Sequence, residues 1–330
     1  MGSDPLALPV LELLAKCDGK LDFKAIYTQP DRPRGRGKKV QPNEIKSWAQ
    51  EREIAVYQPE AFTEEATRQL SEMQPDIILV MAYGHLLPQT VIDVAPLGIY
   101  NLHTSLLPKL RGASPIETAV SLGLEQSGVT LMELVIKMDA GPVCDQEPVT
   151  IDTLETGGSY REKLAAASRV LLERNLSSLL GGSASAVPQD ENQVTYCRTL
   201  VKQDGQLDFS RPAHVLACRI NGLNPWPGCH SPFGEVNLKI GLADWFPAPG
   251  SFEPGQVVAV QDDGLVVGTG EGLVKFLRIQ KPGGKMLPVA EFLRGFPIEP
   301  GDRFQSREMH ELEYSQPVSR KRVFQLYTKP

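Results

Sequence analysis

The chain has 330 residues, with 41% hydrophobic and 22% charged side chains, which is the profile of an ordinary globular protein with room for two domains. A formal charge of −6 argues against a uniformly basic nucleic-acid binder, and no apolar run approaches the roughly 20 residues that span a bilayer. The N-terminus, Met-Gly-Ser-Asp-Pro, has no signal segment, and five cysteines without a C-x-x-C pair fit a reducing cytoplasm better than a disulfide framework or a zinc ribbon.

In chain order, a turn leads into a helix near Leu8. A sheet of the kind that follows usually opens on a strand, so the first strand is expected to be missing from this version of the sequence, through truncation or a misplaced start codon. Phe23–Tyr27 reads as a strand, followed by a Pro/Gly/Arg loop. Asn43 caps a helix to about Arg52, Ile54–Tyr57 is a short strand, and Thr63 caps a helix ending near Met73. Asp76–Ala82 is a nearly continuous apolar strand, as expected when both faces are covered. Gly98–His103 is another strand, Ser114–Leu122 a helix with Pro115 in its first turn, and Val129–Val135 a further strand. The outline is a doubly wound, mostly parallel sheet. Thr156–Leu180 reads as a long helix and residues 181–192 as a linker. Beyond Asp208, a helix at Val215–Ile220 precedes short runs separated by glycine: Val236–Ile240, Gln256–Val260, Leu265–Thr269 and Val274–Ile279. Such spacing suggests a small antiparallel barrel. The last 25 or so residues look irregular.

Charge is unevenly placed. Residues 1–204 carry 20 basic and 27 acidic side chains, and residues 205–330 carry 14 and 13. The one dense basic run nevertheless lies in the acidic part: Arg32, Arg34, Arg36, Lys38 and Lys39, interleaved with Pro33, Gly35 and Gly37. A solvated loop is the ordinary reading. Five cations without an acid exceed what solubility requires, and a glycine-rich loop can order on a phosphate backbone.

Asn101 and His103 lie two residues apart at the end of a strand, so their side chains share a face. The C-terminal end of a strand is where open α/β sheets place their chemistry. A satisfied polar pair at a sheet edge is the bland alternative. Asp139 lies 36 residues after His103, in Lys137-Met-Asp-Ala-Gly141, and an adjacent parallel strand would bring it beside the imidazole. There a carboxylate can fix the tautomer and stabilise the charged ring, although Asp139 also suits a plain turn. The trio fits transfer at a carbonyl carbon to an amine, with an amide holding the oxyanion and an imidazole moving the proton. A facial metal triad of His85, His103 and Asp139 is a weaker alternative. No G-x-S-x-G elbow and no nucleotide fingerprint is present.

Together these stretches resemble the methionyl-tRNA formyltransferase family of folate-dependent formyltransferases. The resemblance runs from Leu8 to about Phe304. It is carried by Tyr27-Thr-Gln-Pro-Asp-Arg-Pro33, Gly35-Arg-Gly-Lys-Lys39, Ala82-Tyr-Gly84, Asn101-x-His103-x-Ser-Leu-Leu-Pro108, Arg111-Gly-Ala113, Pro115-Ile116, Met138-Asp-x-Gly141 and Asn224-Pro-Trp-Pro227. The trio is common to all folate-dependent formyltransferases; the basic loop and the second domain select the acceptor.

The resemblance implies a Rossmann-variant catalytic domain over 1–186, a linker at 187–204, an OB-like tRNA-binding barrel over 205–304 and a C-terminal tail at 305–330. It implies 10-formyltetrahydrofolate as formyl donor, with no metal, and the methionine α-amino group of initiator methionyl-tRNA as acceptor. Asn101, His103 and Asp139 would be catalytic. Ser105, Leu106, Leu107 and Pro108 would contribute to the folate site, and Arg34, Arg36, Lys38 and Lys39 would meet the tRNA acceptor stem. The expected protein is a cytoplasmic monomer with no membrane partner. The rivals are a formyl-folate enzyme acting on a nucleotide or sugar amine, a formyl-folate hydrolase, and a catalytically dead RNA-binding protein.

Overall fold

In a computed structural model, which describes residues 1–17, 21–34 and 39–327, the chain starts with helix α1 (Leu8–Ala15) and a short strand β1 (Ile26–Tyr27). Only the end of the Phe23–Tyr27 run is strand. The basic loop has regular arms: β2 (Arg32–Arg34) pairs antiparallel with β3 (Lys39–Gln41), Arg34 opposite Lys39. Asn43 caps α2 (Glu44–Gln50) by accepting from Lys46 N at 2.9 Å. After β4 (Val56–Tyr57), Thr63 caps α3 (Glu64–Glu72), accepting from Ala66 N at 3.3 Å. Then follow β5 (Ile78–Val80), α4 (Gln89–Ile92), β6 (Ile99–His103), β7 (Arg111–Gly112) and α5 (Pro115–Ser121). Next come β8 (Gln126–Glu133), β9 (Val143–Thr150), which the sequence did not suggest, and the long helix α6 (Gly157–Leu180). The remainder comprises β10 (Tyr196–Cys197), α7 (Ala213–Gly222), β11 (Cys229–Phe233), β12 (Val236–Phe246), β13 (Val257–Gln261), β14 (Gly264–Gly268), β15 (Leu273–Gln280), β16 (Leu287–Pro288), α8 (Val289–Leu293), β17 (Glu313–Tyr314) and α9 (Arg320–Leu326).

The chain divides into two units. The first comprises Met1–Arg111, Gly128–Val149 and Arg161–Val194; the second comprises Gly112–Ser127, Thr150–Tyr160 and Thr195–Pro330. In the first unit the main sheet has the order β5-β6-β8-β9. It is mixed rather than mostly parallel: β5 runs parallel to β6, and β8 runs antiparallel to it, with His103 opposite Thr130 and Asn101 opposite Met132. The expectation of a parallel neighbour took α5 for a crossover helix that covers the sheet. Instead α5 belongs to the second unit and packs on α7 there: a Cβ on Gly222 would lie 2.2 Å from Ser121 Oγ. The right-handed crossover rule governs parallel neighbours, and β8 is antiparallel to β6.

β1 and β4 form a separate parallel pair. Met1–Ser3 lies between that pair and β5. Gly2 N donates to Tyr27 O, Met81 N to Met1 O and Ser3 N to Ala82 O. A cavity of about 600 Å³ adjoins this segment, lined by Val10, Ile26, Ile78, Leu79 and Leu102 among others. Leu102 alternates with Asn101 and His103 along β6, so the cavity lies on the face away from them.

The second unit is built on an antiparallel sheet in the order β11-β12-β15-β14-β13, with β16 added to β15. Its two edges are tied by one segment, Phe304 bridging to Phe233 and Arg303 to Gln256. The core holds Phe209, Leu238, Phe276 and Phe304, and the Phe276 and Phe304 rings meet edge to face at 5.2 Å. The final residues are more regular than the sequence suggested. β17 pairs with β10, Met309 and Leu312 enter the core, and Arg219 Nη2 donates to His310 O at 2.8 Å. Arg198 and Asp204 form a fully buried pair, 2.5 Å between Nη2 and Oδ1 and 2.8 Å between Nη1 and Oδ2. Removing one member leaves an uncompensated buried charge. Asp204→Ala should therefore cost about 3–5 kcal/mol, read as a lower urea midpoint; an unchanged midpoint would contradict the assignment.

Candidate active site

β6 presents Asn101 and His103 on the same face, as strand alternation requires. His103 is 7% exposed and its Nε2 lies 3.0 Å from Leu110 O. A carbonyl oxygen only accepts, so Nε2 carries the hydrogen. In the neutral ring Nδ1 is then the basic nitrogen. It faces Asp139, with Oδ1 3.7 Å away. The structure thus brings His103 and Asp139 together, but the ring's hydrogen bond is to the backbone of Leu110 rather than to the carboxylate.

Two residues on which this geometry depends hold left-handed backbone angles: Leu110 has φ 57° and Asp139 has φ 50°. Aspartate tolerates this region better than leucine, and such strained positions cluster at functional sites. Asp139 is not at the end of a parallel strand. It lies in the turn between β8 and β9, closed by a 2.9 Å bond from Glu133 N to Pro142 O. The same turn exposes Ile136 and Met138.

Ser105 to Pro108 leaves the end of β6. Ser105 is buried and donates to Lys109 O at 2.6 Å. Leu107 is buried; its N donates to Thr130 Oγ1 at 3.1 Å and its O accepts from Gln146 Nε2 at 2.9 Å. Leu106 and Pro108 are half-buried. The backbone of Leu107 is thus satisfied internally, and the turn offers apolar surface at Leu106 and Pro108.

The basic hairpin stands on a fixed base. Asp31 accepts from Lys46 Nζ at 2.7 Å and from Gln58 Nε2 at 2.8 Å, and these bonds hold its carboxyl below the usual carboxylate range. Arg32 and Lys39 are exposed on the arms, and Arg34 is the last residue of β2. Arg36 and Lys38 lie outside the described residues. His85 packs its ring against Tyr83 at 5.1 Å, and burial together with Arg32 keeps its pKa low. Among the described residues no cluster of three histidine, cysteine, aspartate or glutamate side chains is arranged to hold a metal ion.

The sequence reading missed Gln189. Its Nε2 donates to Asp139 O at 2.9 Å and to Gly141 O at 2.7 Å, and its Oε1 accepts from Arg111 Nε and Nη2 at 3.0 and 2.8 Å. It falls in a stretch read as linker, and nothing in its own neighbourhood of sequence marks it.

Residues 6–176 match the family model described as Formyl transferase, and residues 199–297 the model described as Formyl transferase, C-terminal domain. The chain is 39% identical over 280 residues to a protein of Pseudomonas entomophila named methionyl-tRNA formyltransferase, covering 84% of this chain and 90% of that one. A protein of the same name from Pseudomonas putida is 40% identical over 276 residues, 83% of this chain and 88% of that one. Among solved structures, an N-formyltransferase from Helicobacter canadensis, in complex with folinic acid and dTDP-3-aminofucose, is similar in fold with a TM-score of 0.65 at 17% identity, over 85% of this chain and 97% of that one. HypX from Aquifex aeolicus, in complex with tetrahydrofolic acid, has a TM-score of 0.56 at 20% identity over 87% of this chain; the match spans about half of HypX, 51%.

Gly141 approaches β8 so closely that a Cβ would lie 1.8 Å from Glu133 O. Gly141→Ala should force the Asp139 turn outward and cost about 1–3 kcal/mol in urea unfolding. Wild-type stability in that variant would contradict the described packing.

Proposed function

Because the chain belongs to the formyl transferase family, we propose that it moves a formyl group from 10-formyltetrahydrofolate to the α-amino group of methionine on initiator methionyl-tRNA. The product, N-formylmethionyl-tRNA, serves translation initiation. The acceptor follows from the relatives named methionyl-tRNA formyltransferase, which match this chain over more than four fifths of its length. The chemistry rests above all on one observation, the meeting of His103 Nδ1 and Asp139 beside the face of β6 that carries Asn101.

A free α-amino group has a pKa of about 7.7–8.0 and is largely protonated at neutral pH. His103 takes that proton on Nδ1, and Asp139 stabilises the resulting imidazolium. The amine nitrogen then bonds to the formyl carbon, and the carbonyl electron pair moves onto oxygen, where the Asn101 amide N–H holds it. As the oxyanion's electron pair returns to carbon and the carbon–nitrogen bond to the donor breaks, His103 gives its proton to the departing nitrogen, and the second proton of the former amine passes to water, leaving the neutral formamide. The half-buried Leu106 and Pro108 fit the flat face of a pterin, with Ser105 and Leu107 holding the turn from within. The neighbours solved with tetrahydrofolic acid and folinic acid support a folate donor.

Arg34, Arg36, Lys38 and Lys39 carry positive charge to the tRNA acceptor stem. The antiparallel sheet of the second unit acts as an OB-like support for the same tRNA. Around this pair, 1–186 forms the catalytic domain, 187–204 the connector, 205–304 the tRNA-binding domain and 305–330 its tail.

An assay with formyl-folate decides the acceptor: charged initiator tRNA should be formylated, and dTDP-3-aminofucose should not. Asn101→Ala should lower kcat by about 10²–10³-fold, the usual cost of one lost oxyanion donor, with little change in KM for tRNA; unchanged turnover would remove Asn101 from the mechanism. Replacing Arg36 and Lys38 by glutamine should raise the tRNA KM and flatten its salt dependence by about one unit of log–log slope per charge. The folate KM should stay constant, and a parallel rise in it would move the loop to the folate site.

A further inference from the structure

The segment after α6 folds back along the start of β9. Val187 and Val143 exchange two backbone hydrogen bonds of 2.8 Å. Two residues later, Gln189 reaches the turn that carries Asp139. Its carboxamide is fully used: both N–H groups donate, to Asp139 O and Gly141 O, and the oxygen accepts twice from Arg111. A glutamine side chain has two donors on one atom and two lone pairs on the other, so this arrangement satisfies all four. The partners also fix which way the amide faces, because carbonyls cannot donate and a guanidinium cannot accept.

Arg111 is fully buried at its side chain and also bonds Glu191 Oε1 at 2.9 Å. It directly follows Leu110, whose carbonyl holds His103 Nε2. One dipeptide therefore governs both partners of the proton-transfer pair. The Leu110 backbone orients the imidazole, and the Arg111 side chain, acting through Gln189, holds the turn that presents the carboxylate. That turn needs a tether, since Asp139 sits at φ 50° and Ile136 and Met138 beside it are exposed.

We propose that Gln189 is a positioning residue for formyl transfer, holding the 139–141 turn so that the Asp139 carboxylate stands at His103 Nδ1. This deepens the reading of Asp139 as part of the catalytic trio and rests on it. A misplacement of about 1 Å at a reacting centre can cost on the order of 100-fold in rate.

Gln189→Glu isolates the effect. The new carboxylate keeps a partner in Arg111 but can no longer donate to the two carbonyls, which it repels. The expected result is a kcat 10–100-fold lower, with KM for formyl-folate and for charged tRNA within twofold and the melting temperature preserved. Gln189→Met, equal in length and without hydrogen bonds, should give the same split between kcat and KM if the glutamate variant does not accumulate as folded protein. The decisive comparison is with Asp139→Asn, whose amide keeps the left-handed turn. If Gln189 acts through Asp139, adding Gln189→Glu to Asp139→Asn costs nothing further. A full additional loss in the double variant would overturn the proposal, as would an unchanged kcat in Gln189→Glu while Asp139→Asn alone is crippled. If Asp139→Asn itself turns over normally, the trio reading fails first and the proposal falls with it.

Discussion

His103 gives the hydrogen on Nε2 to the carbonyl of Leu110 over 3.0 Å, and Leu110 reaches it in a backbone conformation that leucine rarely adopts. This bond decides which nitrogen is free. With Nε2 committed to the backbone, Nδ1 keeps the lone pair of the neutral ring, and Asp139 has no tautomer left to select. At 3.7 Å the carboxylate faces Nδ1 from beyond hydrogen-bond distance. Both side chains are largely buried, His103 at 7% and Asp139 at 15% exposure.

The parts of the first unit are held in place in different ways. Strand β6 fixes Asn101 and His103 through pairing on both sides, Val80 opposite Asn101 and Thr130 opposite His103. The carboxylate is carried on a turn, which is less constrained and is secured by the Arg111 and Gln189 bonds. The charged hairpin projects from a base made of Asp31, Lys46 and Gln58. The second unit has its own aromatic core and its own buried ion pair, Arg198 with Asp204, as a separately stabilised unit should.

Much of this was legible in the sequence, for identifiable reasons. Asn43 and Thr63 mark helix starts because their side chains can cap, and each does; Pro115 suits the first turn of a helix, and α5 begins on it. Asn101 and His103 share a face because period-two alternation leaves no other choice. Other features depend on contacts that no local pattern encodes. β9 carries Asp145, Gln146 and Glu147 and does not look like a strand; Asp145 is matched by Arg174 at 2.6 Å and Asn175 at 2.7 Å on α6, and Glu147 pairs with the same arginine. β11 contains Pro232, which suits the edge position it occupies but weakens its signal. β8 runs antiparallel to β6 although a helix separates the two in sequence, and no local pattern marks that direction. Gln189 acquires its neighbours only through the bridge between Val187 and Val143.

The most direct test of the account is the single-turnover rate of formyl transfer to charged initiator tRNA by His103→Gln, with enzyme and formyl-folate saturating. Glutamine can still donate to Leu110 O, so the turn keeps its anchor while the base is lost. The account predicts a rate at least 10²-fold below wild type, the usual contribution of a positioned general base, with tRNA and folate still bound. A rate within twofold of wild type would contradict it.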